Sequence, residues 1–101
     1  MIVSSTIYDI KILTKIALQS KAFWGYSSNL IESWKEDLTI TSKMISECDV
    51  MHFLVDDKIA GFYVLNPPKK ETIELEMLFV HPIFIGKKIG KQLLHHSFKK
   101  A

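Results

Sequence analysis

The residues with the spacing to do chemistry are Ile85-Gly86-Lys87-Lys88-Ile89-Gly90-Lys91, just after the apolar run "LFV" and the proline Pro82. Small residues and lysines stand there where a strand-like pattern turns helical. The first N–H groups of a helix lack a partner inside it. Together they carry about half a positive charge, which attracts phosphate. Gly86 and Gly90 let the backbone approach a ligand closely and allow positive φ, and Lys87, Lys88 and Lys91 add charge at the same spot. The chemistry implied is an anion site for phosphate or pyrophosphate. The plain alternative is a glycine turn with a solvated lysine face, and the residues alone leave both open. A nucleoside-triphosphate loop does not fit: Gly86 to Gly90 is one residue too close, and Gln92 replaces the metal-binding hydroxyl. The dinucleotide-binding fingerprint needs three glycines at other spacings.

All 13 basic residues are lysine. No guanidinium fork is therefore available, and an anion must be held by backbone N–H groups and lysine point charges. The remaining reactive side chains form no site by spacing. Cys48 and His52 are far from His81, and His95 and His96 face different ways on a helix, so no metal site is expected. Cys48 lacks a local base to make it a nucleophile. His81 reads as a turn residue, and Lys99 with Lys100 as a solvated helix end.

The elements that must position the loop follow from periodicity. Thr6 to Asp9 ("TIYD") is a capping signal. Ile12, Leu13, Ile16, Ala17, Ser20 and Phe23 then keep helical spacing up to Gly25. A second helix starts near "SSN", with Leu30, Ile31, Trp34 and Leu38 on one face, and Thr41 caps a further turn, Ser42 to Ser46. "VMHFLV" and "KIAGFYVL" are strands around an Asp56-Asp57 turn. "NPPKK" is a loop. "ETIELEMLFV" is a third strand, with Ile73, Leu75, Met77 and Phe79 on one face and Glu74 and Glu76 on the other. A final helix carries Ile89, Leu93, Leu94, Phe98 and Ala101 on its apolar side. The order helix, helix, strand, strand, strand, helix predicts an α+β fold with helices on a mainly antiparallel sheet.

Composition bounds the rest. A chain of 101 residues, 48% hydrophobic, is one small domain with a packed core. A net charge of +2 points neither to nucleic acid nor to acidic ligands. One cysteine fits a reducing, cytoplasmic setting. No signal peptide or membrane span is expected.

The segment "LEMLFVHPIFIGKKIGKQLL" resembles motif A of the Gcn5-related N-acetyltransferase (GNAT) superfamily. There a strand ending apolar-apolar-Val-x-Pro leads into Q/R-x-x-G-x-G/A and a helix beginning I-G-x-x-L-L. The register here runs Leu78, Phe79, Val80, Pro82, then Ile85 to Gly90, then Leu93 and Leu94. "KAFWGYSSNLIESWKEDLTIT", Lys21 to Thr41, resembles the N-terminal part of bacterial members, and the likeness spans essentially all 101 residues. It implies the element order βααββ-βα in one partial domain, residues 1–101, and acetyl-CoA as cosubstrate. It implies pyrophosphate on loop positions Ile85, Gly86, Lys87, Lys88, Ile89, Gly90 and Lys91. It also implies pantetheine paired like an extra strand along Leu78, Phe79 and Val80, where a bulge splays the sheet. Glu76 becomes the expected general base for an amine acceptor, ahead of Glu74, against the plain reading of a solvent-facing strand glutamate. Trp24, Tyr26 and Trp34 occupy positions that shape acceptor pockets in members, though core packing between the first two helices is the favoured reading.

Two positions depart from the motif: Ile85 replaces its Gln or Arg, and Lys88 its central glycine. A lysine in a left-handed backbone costs about 1–2 kcal/mol. Its ammonium near phosphate returns about 1 kcal/mol in water at 4 Å. Weakened binding is the expectation. The family's later strands and helix, with the tyrosine that often protonates the leaving thiolate, have no counterpart in the sequence. The expected protein is therefore a shortened N-acetyltransferase acting on a primary amine by direct attack. The alternatives are a non-catalytic coenzyme A-binding module and a half-domain that pairs with another chain. Self-association through an open sheet edge follows as a further expectation.

Overall fold

The computed structural model describes residues 1–67 and 72–100. Thr6 and Asp9 cap each other as the sequence suggests. Asp9 Oδ2 accepts from the Thr6 N–H at 2.8 Å, and Thr6 Oγ1 accepts from the Tyr8 N–H at 3.3 Å. This box opens a 3₁₀ turn, Ile7–Asp9, that runs into helix α1, Ile10–Phe23. Gly25, at φ +85°, stands just past its end in the left-handed region where glycine closes helices. Ser27 caps α2, Ser28–Ser33, and α3 follows at Lys35–Leu38. The expected single helix is thus broken at Trp34. Its N–H is shared between the carbonyls of Leu30 and Ile31, both at 3.1 Å, and that tightened turn re-aims the axis. Thr41 caps α4, Ser42–Glu47.

The sheet runs in the order β1-β2-β3-β4, with every pair antiparallel. Its strands are β1 (Ile2–Ser4), β2 (Asp49–Val55), β3 (Lys58–Leu65) and β4 (Leu75–Val80). Periodicity alone missed β1, since three residues are too few to show alternation. The family order did imply a leading strand. Asp56 and Asp57 take φ +50° and +65°, a two-residue turn whose twist suits the β2–β3 hairpin. The third strand was expected from Glu71. The observed β4 begins at Leu75, and residues 68–71, including part of the anticipated loop, lie outside the described residues.

The two faces of the sheet are covered by different helices. Phe62 and Val64 of β3 pack with Leu13, Ile16 and Ala17 of α1, and Tyr63 and Leu65 pack with Ile89 and Leu93 of α5, Ile89–Lys100. Burial on both sides explains why β3 reads as continuously apolar. Gly61 lies under α5: a Cβ there would meet the Phe79 carbonyl oxygen at 2.7 Å and Leu93 Cδ1 at 3.0 Å. A side chain at 61 would push the helix off the sheet.

Three facing assignments change. Val64 pairs with Met77 but Leu65 pairs with Leu75, which leaves Glu76 as an extra residue on β4. The bulge reverses the alternation. Met77 and Phe79 face α1, whereas Ile73 packs on the α5 side and Leu75 is half-exposed. The bulge thus sits at Glu76 and not at Leu78–Val80, where the register is unbroken. In α1, Ile12 and Phe23 are exposed and the buried stripe is Leu13, Ile16, Ala17 and Ser20. In α5 the buried stripe is Ile89, Leu93 and Ser97, a strict four-residue spacing, and Phe98 turns outward at 67% exposure. Ala101 lies outside the described residues.

Candidate functional site

β4 lies at an edge of the sheet, with β3 as its neighbour among the described residues. Beyond Val80 the chain is still anchored, because the His81 N–H donates to the Ala60 carbonyl at 2.7 Å. His81 Nδ1 then accepts from the Ile83 N–H at 3.2 Å and caps a 3₁₀ turn, Pro82–Phe84. The loop continues as Ile85 to Lys88. The Lys87 N–H donates to the Phe84 carbonyl at 3.3 Å, and the Lys88 carbonyl accepts from the Gln92 N–H at 3.2 Å, which starts α5.

Two loop residues are left-handed: Gly86 at φ +91° and Lys88 at φ +64°. A Cβ on Gly86 would meet no heavy atom within 4 Å, so glycine is required there for backbone shape and not for space inside the protein. The open space above it is where a ligand could come close. Gly90 sits on the first turn of α5, where a Cβ would only touch Val80 Cγ2 at 3.4 Å, an ordinary contact. The first turn of α5 reaches the same cleft as the end of β4, since Ile89 and Gly90 line it together with Leu78, Phe79 and Val80.

A cleft of about 630 Å³ runs between this loop, the free edge of β4 and the end of α1. Of the residues singled out from sequence, Leu78, Phe79, Val80, Ile85, Gly86, Lys88, Ile89 and Gly90 line it. Lys87 is exposed and outside its lining, and Lys91 joins Lys88 on an adjoining basic groove of about 430 Å³ with His95, His96 and Lys99. Glu76 is not in the lining. It sits at the bulge, exposed, and accepts a 3.0 Å hydrogen bond from Asn66 Nδ2. Glu74 lies in a separate cleft with Cys48 and Asn66. The Cys48 thiol is pushed up by burial, then by the charges of Glu47, Glu76 and Asp49, so it stays protonated.

The opposite wall was missed. Ser20 and Lys21, at the end of α1, and Phe84 also line the cleft. No local pattern links an α1 residue to β4, so only packing reveals them. Trp24 and Tyr26 correct the reading of core packing: they are 65% and 43% exposed and line the cleft. α1 stops at Phe23 and the Gly25 turn throws both rings outward. Trp34 does pack on the α1-side core.

The other buried polar groups are structural. His52 is buried, with Ser5 Oγ 2.7 Å from its Nδ1 and Asp9 Oδ2 4.0 Å away. Burial lowers its imidazole below the ordinary range, and Asp9 pulls the other way. Tyr63 is pushed up to about 12 by burial and by Asp49, and its hydroxyl lies 2.6 Å from His96 Nδ1. Among the described residues no group of three His, Cys, Asp or Glu could hold a metal ion, and no helix is long and apolar enough to cross a membrane.

Comparison with known proteins bears on this cleft. The sequence profile of the Acetyltransferase (GNAT) family matches residues 17–101. Among solved structures, the chain is similar to the PaiA N-acetyltransferase from Thermoplasma acidophilum in complex with coenzyme A. That similarity has 28% identity and a TM-score of 0.82, over 98% of this chain and 69% of that one. A GCN5-related N-acetyltransferase from Rhodopseudomonas palustris is similar at 22% identity and TM-score 0.81, over 100% of this chain and 64% of that one. A GNAT family acetyltransferase from Brucella melitensis in complex with acetyl-CoA is similar at 15% identity and TM-score 0.70, over 99% of this chain and 66% of that one. The chain thus spans roughly two thirds of these proteins. A search of the curated proteins finds no match.

Proposed function

Because the chain belongs to the acetyltransferase (GNAT) family, we propose that its cleft binds acetyl-CoA and that the protein transfers the acetyl group to a primary amine. The observation that carries this reading is the geometry at the end of β4. There a free strand edge, a left-handed glycine loop and a helix N-terminus meet on one cleft of about 630 Å³.

The residues present fit the cosubstrate part by part. N–H groups of the loop and first helical turn between Gly86 and Lys91, apart from that of Lys87, which donates to the Phe84 carbonyl, would hold the pyrophosphate, with Lys88 at the cleft and Lys87 and Lys91 beside it supplying charge. Backbone groups at Leu78, Phe79 and Val80 would pair with the two amides of pantetheine, as an added strand would. When bound, acetyl-CoA supplies the activated thioester carbonyl. Glu76 lies on the same strand, two residues before Leu78. The bulge lifts it out of regular pairing, and Asn66 fixes one of its oxygens. In that position its carboxylate would take the proton of the incoming amine, directly or through water. The relatives with coenzyme A or acetyl-CoA bound support the cosubstrate.

Titration calorimetry of coenzyme A against the chain and its Gly86→Val variant tests the binding. The chain should bind and the variant should not, because a β-branched residue cannot keep φ +91° without strain. No heat with the unmodified chain removes the reading. Equal affinity in the variant removes the loop assignment. A thiol-release assay over a panel of amines then tests turnover, and a binder without turnover would be the non-catalytic module.

A second reading has its own observation. Among the described residues β4 has a strand partner on one side only, and a second copy of the chain could pair along its other, apolar edge and form a homo-oligomer. A monodisperse monomer by light scattering would refute it.

A further inference from the structure

The cleft wall formed by α1 holds an arrangement that the cosubstrate does not explain. The Lys21 ammonium lies 5.1 Å from the ring centre of Tyr26, 5.2 Å from Trp34 and 5.8 Å from Phe79. All three are within the ~6 Å at which a ring face attracts a cation. Among the described residues no carboxylate lies at salt-bridge distance from it. The cation is therefore held by rings. These come from three separate places: the turn after Gly25, the junction of α2 and α3, and β4. Tyr26 and Trp34 brace each other edge to face, 5.1 Å apart at 76°.

We propose that Tyr26, Trp34 and Phe79 form a subsite for an organic ammonium group, and that Lys21 is a tethered occupant which such a ligand displaces. Lys21, Tyr26 and Phe79 all line the cleft, so the subsite opens onto it. A cation gains from ring faces where water is partly excluded, and a quaternary or alkyl ammonium, being weakly hydrated, loses little on entering. Lys21 sits on a four-carbon stem anchored in the last turn of α1, so it competes as an intramolecular ligand. Its ammonium marks where the ligand's cation sits. The subsite as a cation site stands apart from coenzyme A. Its placement beside an acyl-transfer centre rests on the function proposed above.

Choline is the probe, and its neutral isostere 3,3-dimethylbutanol is the control. Binding is read from the Trp34 indole N–H resonance. Lys21→Ala empties the subsite. Lys21→Gln, which removes the charge and keeps the stem, stands in if the alanine variant does not fold. Choline should shift the Trp34 signal saturably in the variant, about fivefold more tightly than in the unmodified chain. The neutral alcohol should bind more weakly than choline, and Tyr26→Leu in the Lys21→Ala background should weaken choline. The proposal is overturned by equal choline affinity with and without Lys21, by an alcohol that binds as well as choline, or by no saturable shift. Coenzyme A titrated into the same samples separates the two readings. Choline binding without coenzyme A binding leaves the subsite and removes acyl transfer, and the converse removes the subsite.

Discussion

Lys88 is one of the two positions where the family pattern and this chain disagree, and its backbone turns the disagreement into a number. Its φ is +64°, in the left-handed region. A residue with a Cβ pays about 1–2 kcal/mol there. Replacing it with glycine removes that strain but gives the unfolded chain more freedom, which costs about 0.4–1 kcal/mol. The balance favours Lys88→Gly by roughly 0.5–1 kcal/mol, a rise in Tm of about 2–8 °C for a domain of this size. The same change removes an ammonium from the proposed phosphate site. At an exposed site that contact is worth about 1 kcal/mol at 4 Å. Coenzyme A should therefore bind up to about fivefold more weakly at low salt, and the difference should shrink as salt is added. Thermal melts by circular dichroism and calorimetry at two salt concentrations measure both effects. Lys87→Gly is the control, since Lys87 is exposed and outside the left-handed region. If both variants lower Tm alike, the strain argument is wrong. If Lys88→Gly strengthens binding at every salt concentration, the lysine contributes shape and not charge.

Gly61→Ala should destabilise the fold by about 1–3 kcal/mol in denaturant titration, because its Cβ would overlap the Phe79 carbonyl oxygen; an unchanged midpoint would mean that α5 shifts freely. Glu76→Gln should lower turnover by about 10²–10⁴-fold and leave coenzyme A affinity intact; unchanged turnover would return Glu76 to a surface residue bonded to Asn66. Burial keeps His52 neutral in the native state, so as pH falls the unfolded chain takes the proton first. Stability from this group is complete above about pH 6.5 and is lost as pH drops below it. Melts between pH 7.5 and 5.5 should show the decline, and His52→Asn should flatten it; an equal slope in the variant would refute the assignment.

The local signals read well. The Thr6–Asp9 box, the Thr41 cap, the Asp56-Asp57 turn and the strand "KIAGFYVL" rest on residues near one another in the chain, where short-range sterics and hydrogen bonds decide. The glycine loop is contiguous too: of the ten positions that its register against motif A pointed to, eight line one cleft and Lys87 and Lys91 do not. Harder to read were features set by partners remote in the chain. β1 is three residues that become a strand only because β2 is there to pair. The alternation of β4 reverses at Glu76 because the β3 register demands a bulge, and no residue type announces it.

The sequence by itself determined the α+β layout, the family and the loop, since each is written in periodicity or in a contiguous motif. Tertiary structure alone decided which faces are covered, that Lys88 is left-handed, and that the end of α1 builds the second wall of the cleft. Lys21 shows why. It is 58 residues from Phe79 in sequence, and only the packing of α1 on the sheet brings its ammonium to within 5.8 Å of that ring.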